Sequence, residues 1–285
     1  MEKKKLAIAI PASVTSDTPH LREKTSKIGL IGRAAAIFRV NEIIVYPDNS
    51  KKGKHKKEAD LIALLLAYME TPQYLRKSLF RLDPRLQFAG ILPPLRTPHH
   101  PLNRKIENLK VGEYREGVTL SRTKEGTLVD IGVEHPALLR ETHWALGKRL
   151  TLQIVKAGER VEVQTASKNE IPHYWGYTVT AENHSFRKLV ENGKFDLTIA
   201  TSKIGAKFMD VAGKIAEKWK KSNCTLVAFG APTRGLHEIV KDEGANLNDI
   251  VDFVVNTVPD QGTETVRTEE ALLASLAILN VQFNC

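Results

Sequence analysis

Two segments near the C-terminus concentrate the residues able to hold a small molecule. An apolar run, Cys224 to Ala228, ends in Phe229, Gly230, Ala231, Pro232, Thr233, Arg234 and Gly235. A second run, Ile250 to Val255, ends in Asn256, Thr257, Val258, Pro259, Asp260, Gln261, Gly262, Thr263 and Glu264, then Val266 and Arg267. Glycines there permit close backbone approach and positive φ, and Pro232 and Pro259 stiffen the turns. Neither loop is a GxGxxG or a P-loop, so a dinucleotide or nucleoside triphosphate is not the expected ligand. Arg33 stands among Gly, Ala and Ile. A guanidinium in that company reads either as one with an anionic or carbonyl partner, as one exposed at an interface, or as a solvent-facing helical residue. Glu264 reads equally as a proton acceptor, a cap of the helix that follows, or a partner of Arg267. His99 and His100 have no Cys or third His at ligand spacing, so no metal is expected.

These residues need elements to place them. Lys5–Pro11 reads as a strand, Arg22–Phe38 as a helix and Glu42–Tyr46 as a strand, the opening of a right-handed βαβ unit. Asp48–Glu58 reads as a solvated loop and Ala59–Glu70 as a helix. From Thr71 prolines interrupt the chain. Short alternating segments then follow at Arg115–Arg122, Thr127–Ile131, Arg149–Lys156 and Glu159–Thr165. That spacing suggests a small antiparallel barrel of about five strands, OB-like in kind. The α/β texture resumes with strands at Tyr177–Thr180 and Phe195–Thr201, and helices at Ser185–Glu191 and Ala206–Lys220. The two glycine-bearing segments read as adjacent, buried, parallel strands, with their loops at the sheet edge where ligands bind. Thr268 reads as the N-cap of a final helix, Glu269–Leu279. The expected architecture is an α/β domain with a mostly parallel sheet, in two pieces (1–78 and 173–285), interrupted by a β-barrel insertion at 79–172.

The chain has 285 residues, 42% hydrophobic and 26% charged, which suits a globular protein and not a disordered one. A net charge of +9 favours an acidic partner such as RNA, DNA or a membrane surface, the alternative being a generically soluble basic protein. Lys51, Lys52, Lys54, Lys56 and Lys57 form one basic cluster, and Arg81, Arg85, Arg96 and Arg104 fall in a second. Both read either as RNA phosphate contacts or as a solvated loop with scattered surface charge, and the barrel-like segments beside them favour RNA. Aromatics at 6% do not indicate a broad stacking platform. Cys224 and Cys285 provide no disulfide framework or zinc ribbon and fit a reducing compartment. The N-terminal apolar run is too short for a signal segment or a membrane span. A cytoplasmic protein without a membrane partner is expected.

The two loops, together with Lys27–Tyr46 and the stretches Leu86–Leu92, Thr97–His100 and Glu113–Val118, resemble the SPOUT superfamily. These are trefoil-knotted, S-adenosylmethionine-dependent RNA methyltransferases. The match is to an archaeal and eukaryotic subgroup with an OB-like insertion. The resemblance implies that Phe229, Gly230, Ala231, Pro232, Gly235, Val255, Thr257, Val258, Pro259, Gln261, Gly262, Thr263 and Val266 enclose S-adenosylmethionine in a knot. It also implies a homodimer, with Arg33 near the transferred methyl, often from across the dimer. Of the target it implies a base of ribosomal RNA, uridine N3 of the large subunit in preference. Methyl transfer to a base is an in-line displacement in which a ring proton must leave. Glu264 and Asp260 are then the candidate proton acceptors, with Asn256 and Thr263 orienting base or cofactor. Two other readings stay open. One is a non-catalytic, dimeric RNA-binding protein using the barrel. The other is a small-molecule α/β enzyme, which has no phosphate loop or nucleophile elbow here to support it.

Overall fold

The computed structural model describes residues 4–48, 52–141, 143–193 and 195–283, without the side chains of residues 52–54. Its contacts divide the chain into two units: Met1–Ala67, Arg85–Pro93 and Tyr177–Cys285 form the first, Tyr68–Pro84 and Pro94–Gly176 the second.

The first unit holds strands β1 (Lys5–Pro11) and β2 (Glu42–Tyr46), and later β8 (Thr178–Ala181), β9 (Leu197–Lys207), β10 (Cys224–Ala228) and β11 (Phe253–Asn256). They form one parallel sheet in the order β11-β9-β10-β1-β2-β8. Alternation along β1 sends Ala7 and Ala9 to one face and Ile8 and Ile10 to the other, and all four are buried, as a sheet covered on both faces requires. The Ala7 and Ala9 face packs with Ile44, Tyr46, Leu226 and Ala228. It also carries residues of helices α4 (Phe186–Glu191), α6 (Leu236–Asp242) and α7 (Leu247–Ile250). The remaining helices of this unit are α1 (Leu21–Ile37), most of α2 (Lys52–Glu70), α5 (Phe208–Lys221) and α8 (Thr268–Phe283).

Three expectations are corrected here. The two glycine-bearing segments are not neighbours, because β9 lies between β10 and β11. The stretch expected as a solvated loop, Asp48–Glu58, is helical from Lys52, where α2 begins, about two turns earlier than the apolar pattern implied. Lysine is a good helix former, and the early turns are anchored where Glu58 receives Lys24 at 2.8 Å and Thr15 at 3.1 Å. Thr268 is not the N-cap but the first residue of α8. The Ala271 N–H bonds to the Arg267 carbonyl at 2.8 Å, and the Glu270 carboxylate accepts the Arg267 N–H at 2.9 Å, a half capping box with Arg267 at the cap.

The second unit starts with α3 (Gln73–Leu79) and builds a closed barrel from β3 (Tyr114–Thr123), β4 (Gly126–Asp130), β5 (Ala137–Arg140), β6 (Arg149–Lys156) and β7 (Glu162–Thr165). Its order, β3-β4-β5-β7-β6 with β6 returning to β3, is that of a five-stranded Greek-key OB-like barrel. A part-buried polar chain is built on β3 and β6, on residues that alternate with the barrel's core. The Glu116 carboxylate accepts from Trp175 Nε1 at 2.6 Å, Thr151 Oγ1 at 2.7 Å and Arg149 Nε at 2.5 Å, and Arg149 also holds Glu70 at 2.6 Å. His99 and His100 both place Nε2 on the Glu70 carbonyl, at 3.0 and 2.7 Å. Burial alone would raise the Glu70 carboxyl, but the His99 hydrogen bond and the Arg149 charge outweigh it and bring it to about 2. Burial, then the His99 ring, pulls His100 down to about 4.

Candidate active site

The carboxyl ends of β9, β10 and β11 meet around a pocket of about 470 Å³, within the size range of small-molecule sites. Each strand makes its wall differently.

On β9 the ladder breaks. Val254 pairs with Ala200, but the next residue, Val255, pairs with Ala206. Residues 201–205 therefore leave the register and stand out as a flap. Gly205 permits the return: a Cβ there would lie 2.7 Å from the Val255 carbonyl carbon. Asn256 Nδ2 donates to the Lys203 carbonyl at 2.9 Å while Asn256 Oδ1 accepts the Val258 N–H at 3.0 Å. Asn256 thus braces flap and loop together.

After β10, the Phe229 N–H bonds to the Ala9 carbonyl at 3.0 Å, and the Phe229 carbonyl accepts the wholly buried Tyr46 hydroxyl at 2.7 Å. Burial pushes that phenol well above its ordinary range, so it remains a donor. Ala231 and Arg234 exchange backbone bonds at 2.8 and 3.3 Å and close a tight turn. A Cβ on Gly230 would sit 3.1 Å from the Arg234 carbonyl oxygen, the Gly235 Cα and the Leu236 nitrogen. Arg234 reaches the Asp48 carbonyl at 3.2 Å and pairs with Asp242.

After β11, Gln261 Nε2 donates to the Thr263 and Glu264 carbonyls at 2.9 and 3.1 Å. Lys203 Nζ donates to the same Glu264 carbonyl at 2.9 Å. Thr268 Oγ1 donates to the Gly230 carbonyl at 3.1 Å, so the start of α8 is tied to the loop after β10.

Of the residues named from the sequence, Phe229, Gly230, Ala231, Pro232, Gly235, Asn256, Thr257, Val258, Gln261, Glu264 and Val266 line this pocket. Val255, Pro259, Gly262 and Thr263 lie outside its lining. The expectation of positive φ at Gly230, Gly235 and Gly262 is corrected: in these loops it is Asp260 that turns left-handed, at φ +56°. A Cβ at Gly262 would meet nothing. Glu264 is exposed and lines the pocket, with its backbone carbonyl accepting from Lys203; the capping role belongs to Glu270. Arg33, half-buried on α1, is not in the lining.

The basic residues Lys56, Lys57, Arg81, Arg85, Arg96 and Arg104 are all exposed. Lys51, and the side chains of Lys52 and Lys54, lie outside the described residues, as does Cys285. His99 is fully buried and so is not a surface contact. Among the described residues no group of three or more His, Cys, Asp or Glu is placed to hold a metal, and no helix is long and apolar enough to cross a membrane.

Sequence reasoning missed the flap residues Thr201 to Ile204, and His237 and Glu238, all of which line the pocket; Arg234, within the Phe229–Gly235 loop read from the sequence, lines it too. The flap reads in the sequence only as the gap between a strand ending at Thr201 and a helix beginning at Ala206, because a register shift has no periodicity of its own. A larger hollow, about 1000 Å³, lies at the ends of β1, β2 and β8. Its carboxylates are mostly engaged: Asp48 by Ser13, Asp242 by Arg234, Glu182 by the Asn183 and His184 N–H groups, and Glu243 by those of Phe186 and Arg187.

A sequence model of the family described as "Putative RNA methyltransferase" matches residues 5–279. An uncharacterized protein of Halobacterium salinarum is 32% identical over 96% of this chain and 98% of its own length. The 28S rRNA (uridine-N(3))-methyltransferase of Drosophila melanogaster is 32% identical over 96% of this chain and 61% of its own length. The human protein of the same name is 32% identical over 96% of this chain and 77% of its own length.

Proposed function

Because the chain belongs to the RNA methyltransferase family whose model spans it almost end to end, we propose that it transfers a methyl group from S-adenosylmethionine to N3 of a uridine in large-subunit ribosomal RNA. The pocket at the ends of β9, β10 and β11 carries this reading. Its residues suit the cofactor. Phe229, Ala231, Pro232, Val258, Val266 and Ala271 offer apolar cover for an adenosyl group. The loops after β10 and β11 add backbone N–H and carbonyl groups for its polar edges, and carbonyls and the Glu238 and Glu264 carboxylates suit a sulfonium and an ammonium. The donor supplies an electrophilic methyl group. The protein holds it, aligns N3 with it and helps the N3 proton leave.

The named relatives support the choice of uridine N3 and of ribosomal RNA, and the net charge of +9 suits an RNA substrate. The closed barrel supports reading 79–172 as an RNA-binding insertion in the catalytic domain. The bond from Thr268 back to the Gly230 loop supports a knotted C-terminal segment. An exposed stripe on α1 supports a homodimer: Leu30 is 53% and Ile37 51% exposed, with Arg33 between them on the same face. In such a dimer Arg33 serves the partner's site.

The test is to incubate the protein with S-adenosylmethionine and large-subunit rRNA and to digest the product for nucleoside mass spectrometry. 3-Methyluridine is the expected product. Salt-sensitive RNA binding without any methylated nucleoside would favour the non-catalytic reading.

A further inference from the structure

We propose that Lys203, on the flap of β9, is the cation that polarises a ring carbonyl of the target base; this rests on the uridine reading above. Methylation at uridine N3 needs the N3–H proton to leave. The charge that develops spreads onto the two flanking carbonyl oxygens, and a cationic donor against one of them stabilises it where it forms. Arg33 is not in the lining of the pocket in its own chain. Arg234 is in the lining, but its guanidinium is taken up by Asp242 and the Asp48 carbonyl. Lys203 also lines the pocket, and its ammonium is bonded to a backbone carbonyl, that of Glu264, at 2.9 Å. That bond is neutral on the acceptor side and solvent-exposed, so it exchanges cheaply, and an ammonium has two further N–H donors.

The flap gives the ammonium its place. Expulsion of residues 201–205 from the ladder projects Lys203 and Ile204 at the pocket, and Asn256 fixes the Lys203 carbonyl. Ile204 is 76% exposed beside it, an apolar surface for the face of a pyrimidine ring. The other charged or titratable groups around this end are Glu264 on the loop after β11, Arg234 on the loop after β10, and His237 and Glu238 on α6. Lys207 on β9 stands 3.6 Å from Asp260. In the step, the N3 proton passes to water or hydroxide and the N3 lone pair forms the bond to the methyl carbon. The donor's carbon–sulfur bond breaks with its electron pair retained on sulfur, and the Lys203 ammonium keeps its proton throughout.

The test compares wild type, Lys203→Met and Lys203→Arg. It uses calorimetric S-adenosylhomocysteine affinity, and single-turnover formation of 3-methyluridine in an rRNA fragment from about pH 6 to about pH 10. Lys203→Met is expected to bind S-adenosylhomocysteine within about three-fold of wild type while its methylation rate near neutral pH falls about 100-fold. Its rate should keep rising with pH beyond the wild-type plateau, because N3 ionisation is no longer assisted, and Lys203→Arg should regain much of the loss. A Lys203→Met rate and pH profile equal to wild type would overturn the assignment. So would a loss explained wholly by weaker S-adenosylhomocysteine binding. Wild-type protein that binds S-adenosylhomocysteine but forms no 3-methyluridine overturns the uridine reading, and this assignment with it.

Discussion

Gly230 and Gly262 are the same residue type in neighbouring loops, and their surroundings give them opposite tolerances. A side chain at Gly230 meets three backbone atoms at 3.1 Å inside the turn that shapes the pocket, whereas one at Gly262 points into open space. Gly230→Val should therefore weaken S-adenosylhomocysteine binding by about ten-fold or more, while Gly262→Ala stays within about two-fold, both read by calorimetry. Tyr46 acts on the same loop from behind. In Tyr46→Phe the Phe229 carbonyl loses its buried donor, which costs about 1–3 kcal/mol, and a lowered denaturant midpoint at unchanged slope is the expected signature. Neither position could be weighed from sequence: glycines look alike there, and a tyrosine closing a strand says nothing of the carbonyl it meets 183 residues away.

At the scale of elements, the strands of the parallel sheet were readable because each is a short apolar or β-branched run bounded by turn residues. β1, β2 and β6 are as expected to the residue. β5 was missed because four residues after a proline carry too little pattern. The order β11-β9-β10 was misread because strand adjacency in a parallel sheet is set by crossovers that run elsewhere in the chain. Half the pocket was legible, the half built by glycine and proline loops. The flap wall was not, since it arises from a register shift.

The barrel unit carries a prediction that belongs to this scale. His100 is held at about 4 against an ordinary 6.5, so the unfolded chain takes up its proton first, and stability falls as pH drops from about 6.5 to 4. Glu70 is held at about 2, so its contribution is present above its unfolded value near 4.5 and is lost as pH falls through 2. Each proton can contribute at most about 1.4 kcal/mol per pH unit. Thermal melts between pH 7 and pH 4 should show a falling midpoint, and His100→Gln should flatten that fall. An unchanged slope in the variant would assign it to other groups.

At the scale of the whole molecule, the +9 charge suits the proposed RNA substrate, and the exposed Leu30 and Ile37 of α1 suit the proposed second copy. Leu30→Glu combined with Ile37→Glu should convert a dimer to monomers in sedimentation velocity, without loss of helix content. If Arg33 serves the partner's site, mixing that monomer with Arg33→Ala protein should not restore methylation. Methyl transfer, unlike either partnership, requires that the pocket hold a methyl donor, and that is measured most directly by titrating wild-type and Gly230→Val protein with S-adenosylhomocysteine in a calorimeter. One saturable site per chain, lost or much weakened in Gly230→Val while the variant remains folded, is the result predicted. Absence of binding to folded wild-type protein, alone and with rRNA present, or equal binding by the variant, would contradict it.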